Sequence, residues 1–341
     1  MPVSSGRHRR PRARRAAVAA TAATVLLAAA GAAAGPAALG APAPPLVRSA
    51  DDEARIVSAT RLDERTVDLA VDSPAVGGTV PVRVILPAGF DARPDRTWPV
   101  LYLLQGGHDD HTSWTRETAV EEFLADKEVI AVLPSAGPTG IPTRWRHGGD
   151  AAAPDYERFQ VDEVMGLLRR HFRASATRAV AGVSTGGYGA MAFAARRPGA
   201  FAAAASYSGI LDTTAPGMPT VVGAIVAREG LRPTALWGSP VLDRDVWLRH
   251  NPASRVERLA GTRLYVSQGG GVPGVDFGNL EGAVLEGTLR GQAQGFVRRL
   301  ERAGVPVRTH FYSGGSHGWR YWEREFEASW PTLAAGLGLP A

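Results

Sequence analysis

Residues 178–197 read Arg178-Ala179-Val180-Ala181-Gly182-Val183-Ser184-Thr185-Gly186-Gly187-Tyr188-Gly189-Ala190-Met191-Ala192-Phe193-Ala194-Ala195-Arg196-Arg197. The run ending at Ala181 has the character of a buried strand and Tyr188 to Arg197 that of a helix, with Gly-x-Ser-x-Gly between them. Strand, sharp turn and helix with a serine at the apex make a nucleophile elbow. The glycines are required because the turn lifts the hydroxyl above the sheet while neighbouring backbones pass close on both sides. Ser184 is therefore the expected nucleophile, and strands alternating with helices are expected around it.

The rest of the chain supplies them. Val67 to Val71 and Val80 to Leu86 read as short strands around the Gly77-Gly78 turn, an antiparallel pair opening the sheet. Val100 to Leu104 and Val129 to Leu133 are continuous apolar runs of the kind buried on both faces. Ala202 to Tyr207, Leu264 to Ser267 and Val307 to Tyr312 are further strands. Thr118 to Asp126, Tyr156 to Phe172, Gln292 to Arg302 and Trp319 to Leu337 have helical spacing. The expected fold is α/β, a mostly parallel sheet with helices on both faces. Residues 212–260, rich in Pro and Gly with a short helix near Val241 to Leu248, read as a lid-like insertion over the site within a single domain spanning 61–338.

The N-terminus reads differently. Six arginines lie in the first fifteen residues, and Ala16 to Leu39 then carries no charge and is mostly Ala. That order is an export signal, taken as residues 1–43, with small residues near Ala38-Leu39-Gly40 offering a cleavage site and Arg14-Arg15 permitting twin-arginine export. An uncleaved anchor is the alternative, although the stretch is only marginally apolar. Residues 44–60 read as a polar lead-in. Of the 38 basic residues, six belong to the signal, which leaves 32 against 33 acidic ones. The basicity of the whole chain thus implies no nucleic-acid partner. Cysteine is absent, excluding disulfides, thiolate metal sites and a cysteine nucleophile.

A serine nucleophile needs a base that later protonates the leaving group, a task suited to histidine. His317, in the loop between the last strand and the last helix, stands where that base is expected; His310 falls within the strand, and His250 beside Asn251-Pro252 reads as capping a turn. The orienting carboxylate must lie between Ser267 and His317, and position alone leaves Asp276 and Glu286 open. The oxyanion hole needs two backbone N–H groups: Thr185, after the nucleophile, and Gly107, in the loop Leu104-Gln105-Gly106-Gly107-His108. His108-Asp109-Asp110-His111 contains metal-ligating residue types but no further ligand set, so it reads as a polar pocket rim touching substrate, and no metal or cofactor is expected. Gln105, His108, Trp145 and Trp319 are the expected substrate-contacting residues.

Three segments, Leu103-Leu104-Gln105-Gly106-Gly107 with Asp109-Asp110 and Trp114, Ala181 to Gly187, and Ser316-His317-Gly318-Trp319-Arg320-Tyr321-Trp322, together resemble the esterase D-like family. The likeness is to its exported actinobacterial branch, which includes the antigen 85 mycolyltransferases, and covers about 250 residues from near Val80 to Leu333. It implies the α/β-hydrolase fold and favours Glu286 as the acid, because Leu285-Glu286 stands ten residues before Phe296 as in that branch. It also implies acyl-ester or glycolipid substrates in or near the cell envelope. Where mycolyltransferases have Leu-Asp-Gly-Leu-Arg-Ala, with Asp and Arg helping to bind trehalose, this chain has Gln105, Gly107 and His108. The expectation is therefore an exported serine esterase, with an acyltransferase as the alternative and a catalytically silent binding protein on the same fold as a third reading.

Overall fold

The apolar runs at 100–104, 129–133 and 178–183 become the middle of a nine-stranded sheet in the computed structural model, which describes residues 53–147, 153–272 and 279–341. The segment 1–43 expected to direct export, the first part of the lead-in and Asp276 lie outside the described residues. The strands are β1 Arg55–Arg61, β2 Thr66–Ser73, β3 Gly78–Ile85, β4 Trp98–Leu104, β5 Ile130–Pro134, β6 Ala174–Val183, β7 Ala203–Tyr207, β8 Arg263–Gln268 and β9 Val307–Phe311. Their order across the sheet is β1-β2-β3-β5-β4-β6-β7-β8-β9. β1, β2 and β3 pair antiparallel, as do β3 and β5, and every pairing from β5 to β9 is parallel.

The helices are α1 Ser113–Glu117, α2 Val120–Phe123, α3 Tyr156–Arg158, α4 Val164–His171, α5 Thr185–Arg196, α6 Met218–Arg228, α7 Arg244–His250, α8 Leu280–Arg302 and α9 Trp319–Leu337. A π turn at Phe159–Glu163 joins α3 to α4. Successive strand residues face opposite sides, so β4 divides its run between two cores. Val100, Tyr102 and Leu104 pack with Phe159, Phe193 and Phe296 on one face. Leu101 and Leu103 pack with Trp322, Phe326, Trp330 and Leu333 of α9 on the other. Full burial of one such side chain contributes about 2 kcal/mol.

The N-terminal boundary of the domain and the content of the 212–260 segment differ from expectation. The lead-in at 44–60, expected to precede the domain, instead supplies most of β1, paired with β2 in the register Arg55↔Asp72 to Arg61↔Val67. As an edge strand exposed along nearly its whole length, it carries no apolar alternation. The segment 212–260 holds α6 as well as the expected short helix, which runs from Arg244 to His250.

A third core gathers Tyr188, Trp237 and Trp247, and His250 sits against it, stacked on Trp237 at 5.2 Å and bonded through Nδ1 to Thr143 Oγ1 at 2.9 Å. Burial, then the nearby Arg196, Arg249, Arg255 and Arg144, depress its pKa to about 3. The native state holds this ring neutral while the unfolded chain protonates it near pH 6.5, so falling pH favours unfolding. Stability should decline between about pH 6.5 and pH 3 by up to a few kcal/mol from this group. Urea midpoints measured at pH 7.5 and 4.5 should lie further apart for the wild type than for His250→Gln; equal gaps would rule the contribution out.

Candidate active site

Adjacent parallel strands deliver the candidate residues to one edge of the sheet. Leu104 of β4 pairs with Gly182 of β6, so the loop beginning at Gln105 and the turn bearing Ser184 emerge side by side. This is also where the chain changes direction across the sheet, from β5 on one side of β4 to β6 on the other. Open α/β sheets place their ligands outside the strand carboxyl ends at such a point.

Ser184 has φ 54° and ψ −118°, a strained conformation for a residue with a side chain. The glycines around it leave no room for substitution. A Cβ at Gly182 would lie 2.3 Å from Gly186 O, and one at Gly186 would lie 2.4 Å from Gln105 O. Backbone atoms in a packed core cannot move aside cheaply. Gly186→Ala should cost more than about 3 kcal/mol, read as a lowered urea midpoint; a variant as stable as the wild type would contradict this packing.

Ser184 Oγ lies 2.8 Å from His317 Nε2, and His317 Nδ1 lies 2.8 Å from Glu286 Oε2. A carboxylate only accepts hydrogen bonds, which puts the imidazole proton on Nδ1 and leaves Nε2 to accept from the serine hydroxyl. Glu286 is fully buried in α8. Its Oε1 accepts from Gly269 N and from Ser208 Oγ, each at 2.7 Å. Its burial as a charge is thus matched by three donors. His317 is anchored by its own N–H to Gly282 O at 3.0 Å, and Trp322 stands edge-on to its ring at 4.9 Å.

The loop after β4 touches the elbow. A Cβ at Gly107 would be 3.6 Å from Thr185 Cγ2 and 3.5 Å from Ile225 Cγ2 of α6. Thr185 opens α5, where the first backbone N–H groups have no partner within the helix and carry its positive dipole end. Among the described residues, neither the Gly107 nor the Thr185 amide donates a hydrogen bond.

The expected substrate contacts are distributed differently. Gln105, expected to face substrate, is only 2 % exposed, and its amide is spent on the loop backbone. Its Nε2 donates to Asp109 O at 2.5 Å and Gly137 O at 3.1 Å, while Oε1 accepts from Ala136 N. His108, at φ 62°, points its Nδ1 at Glu229 just beyond α6. In the same acidic stretch Asp109 pairs with Arg116, and Asp110 holds Thr112. Trp319 packs between Trp114 and Trp322, its ring 5.3 Å from each. Trp145 belongs to the third core and lines a cavity of about 490 Å³ with Arg144, Arg146, Trp237 and Arg249, not with Ser184. The sequence reading missed Ser208. A serine after a strand carries no signal distinguishing it from an ordinary turn residue.

A family model described as a putative esterase matches residues 73–333. The esterase Rv1288 of Mycobacterium tuberculosis is 29% identical over 275 residues, covering 76% of this chain and 58% of that protein. The chain thus spans less than two thirds of that relative's length. The diacylglycerol acyltransferase/mycolyltransferase Ag85A of Mycobacterium tuberculosis is 30% identical over 284 residues, 79% of this chain and 81% of that protein. Among solved structures, Mycobacterium tuberculosis MPT51 superposes with a TM-score of 0.64 at 26% identity, covering 79% of this chain and 97% of MPT51. An S-formylglutathione hydrolase from Agrobacterium tumefaciens shares the fold, with a TM-score of 0.64 at 16% identity over 83% of this chain and 99% of that one.

Proposed function

This chain belongs to the putative esterase family of α/β-hydrolases, and from that premise we propose that it is an exported serine esterase acting through an acyl-enzyme, with Ser184, His317 and Glu286 as its triad. The observation that carries this reading is the continuous contact from Ser184 Oγ to His317 Nε2 and from His317 Nδ1 to Glu286 Oε2, 2.8 Å at each step. Ser184 Oγ attacks the acyl carbonyl carbon as its proton passes to His317 Nε2. The carbonyl oxygen takes the negative charge and is held by the Gly107 and Thr185 amides. Collapse expels the alcohol, which takes the proton from Nε2 and leaves the acyl group on Ser184. Water then gives its proton to Nε2 and attacks the ester, and the acid departs as Ser184 regains its hydrogen. Glu286 keeps the imidazole in the orientation and tautomer that both halves need.

A hydroxyl in place of water would make the same enzyme an acyltransferase, the second reading, which similarity to Ag85A supports. Hydrolysis is favoured because Gln105 and His108 occupy the positions where the mycolyltransferase pattern places its trehalose-binding Asp and Arg, and both are engaged within the protein. Residues 1–43 serve as the export signal, the chain from β1 at Arg55 to residue 338 as the catalytic domain and 212–260 as its lid-like insertion. The substrates are acyl esters or glycolipids met outside the cytoplasm. Among the described residues no helix is long and apolar enough to cross a membrane. Turnover of nitrophenyl esters of increasing chain length, with and without trehalose or glycerol, tests both readings. Free acid as the sole product supports the esterase, acylated acceptor supports transfer, and no turnover by folded protein would overturn both.

A further inference from the structure

Ser208 follows β7 directly and belongs to no feature that the reaction scheme above uses. It is 1 % exposed and is held at φ 52°, a left-handed conformation that costs a residue with a side chain energy. Its backbone N–H donates to Ser267 O at 3.0 Å, which ties the end of β7 to β8 in this strained form. The side chain lies between two partners, with Oγ 2.7 Å from Glu286 Oε1 and 3.0 Å from Trp322 Nε1.

The direction of both bonds follows from the partners' chemistry. An indole N–H only donates and a carboxylate only accepts. The hydroxyl must therefore accept from Trp322 and turn its single proton towards Glu286. Trp322 is 6 % exposed, and its ring also stands against His317 at 4.9 Å and 89°. One indole thus walls the imidazole with its ring and, through its N–H, fixes the direction of the hydroxyl that holds the carboxylate. Trp322, Ser208, Glu286, His317 and Ser184 form an unbroken series, most of it removed from water.

On the proposed serine-hydrolase reading, we infer that Ser208 is a positioning residue of this site, oriented by Trp322 and setting the rotamer and charge distribution of Glu286. Gly269 N also donates to Oε1, yet one donor leaves the carboxylate free to pivot about that contact, whereas two donors on one oxygen fix the direction in which Oε2 meets His317. A buried turn serine with no such role would need neither the strained backbone nor a partner on each side.

The experiment compares Ser208→Ala, Ser208→Gly, Trp322→Phe and the double variant Ser208→Ala/Trp322→Phe on a nitrophenyl ester, with Ser184→Ala as the control. Ser208→Ala should lower kcat about 5- to 30-fold with KM changed less than about twofold, the size expected from losing one hydrogen bond to a charged group. Glycine adopts positive φ without strain. Ser208→Gly should therefore lose as much kcat as Ser208→Ala even where it is the more stable protein, which separates loss of the hydroxyl from loss of fold. Trp322→Phe keeps a ring beside His317 and removes only the donor. It should lower kcat in the wild type and have little further effect once Ser208 is alanine.

Both Ser208 variants retaining wild-type kcat, in a protein that Ser184→Ala inactivates, would overturn the inference while leaving the hydrolase reading intact. Fully additive effects of Ser208→Ala and Trp322→Phe would overturn the relay between them. A wild type without turnover, or a Ser184→Ala variant that retains it, would instead defeat the hydrolase reading.

Discussion

Ser184→Ala is expected to reduce kcat/KM on a nitrophenyl ester by about 10⁴- to 10⁶-fold while leaving the urea midpoint nearly unchanged. The substitution removes a single oxygen, the one that lies 2.8 Å from His317 Nε2. Alanine meets the same backbone constraint at φ 54°, so the elbow keeps its shape and the amides of Gly107 and Thr185 stay where they are. Whatever turnover persists then measures oxyanion binding and substrate positioning alone, a residue of catalysis that serine hydrolases retain after losing their nucleophile. A variant within tenfold of the wild type would mean that a different group attacks the ester.

Glu286→Gln should cost about 10³- to 10⁴-fold in kcat, with little loss of stability. The amide has nearly the shape of the carboxylate but opposite hydrogen-bond character at one end. Its oxygen will take the Oε1 position, because Ser208 Oγ and Gly269 N both donate there. That forces the NH₂ group to face His317 Nδ1, which must then accept and give up its proton to Nε2. An Nε2–H cannot receive the hydrogen of Ser184, so the defect is one of tautomer and not of folding. The same measurement resolves the choice that position in the sequence leaves open. If Asp276 were the acid, Glu286→Gln would be mild and Asp276→Asn severe; the reverse order is expected.

Much of this architecture is legible without coordinates because buried parallel strands have few ways to be written. Val100 to Leu104 and Val129 to Leu133 must be apolar on both faces, and they become β4 and β5 almost to the residue. The elbow is legible because its glycines answer a steric demand that no other residue meets. What escapes is the periphery. β1 is polar because an edge strand has little to bury. α6 reads as a loop because Gly217 and Pro219 stand at its start and Val221, Val222, Ile225 and Val226 are weak helix formers. Proline in the first turn is nonetheless compatible with a helix. α8 begins at Leu280, twelve residues before the expected start, behind Gly282 and Gly287, which lower its helical signal.

The candidate site divides along similar lines. Ser184 and His317, expected from motif and chain order, stand 2.8 Å apart through Oγ and Nε2. Residues that serve by reaching a partner distant in sequence carry no such signal. Gln105 occupies a motif position expected to face substrate, but its amide ties its own loop, at Asp109, to the loop after β5, at Ala136 and Gly137. Ser208 meets Glu286 across 78 residues and Trp322 across 114, and nothing in the sequence near it announces either partner.

The most direct measurement of the central claim is covalent labelling by a fluorophosphonate, followed by mass analysis of the peptides. The account predicts one phosphonyl group per chain, carried on Ser184, formed rapidly in the wild type, slowly in Glu286→Gln and not at all in Ser184→Ala. A folded wild type that takes up no label, or one labelled equally well after Ser184→Ala, would contradict it.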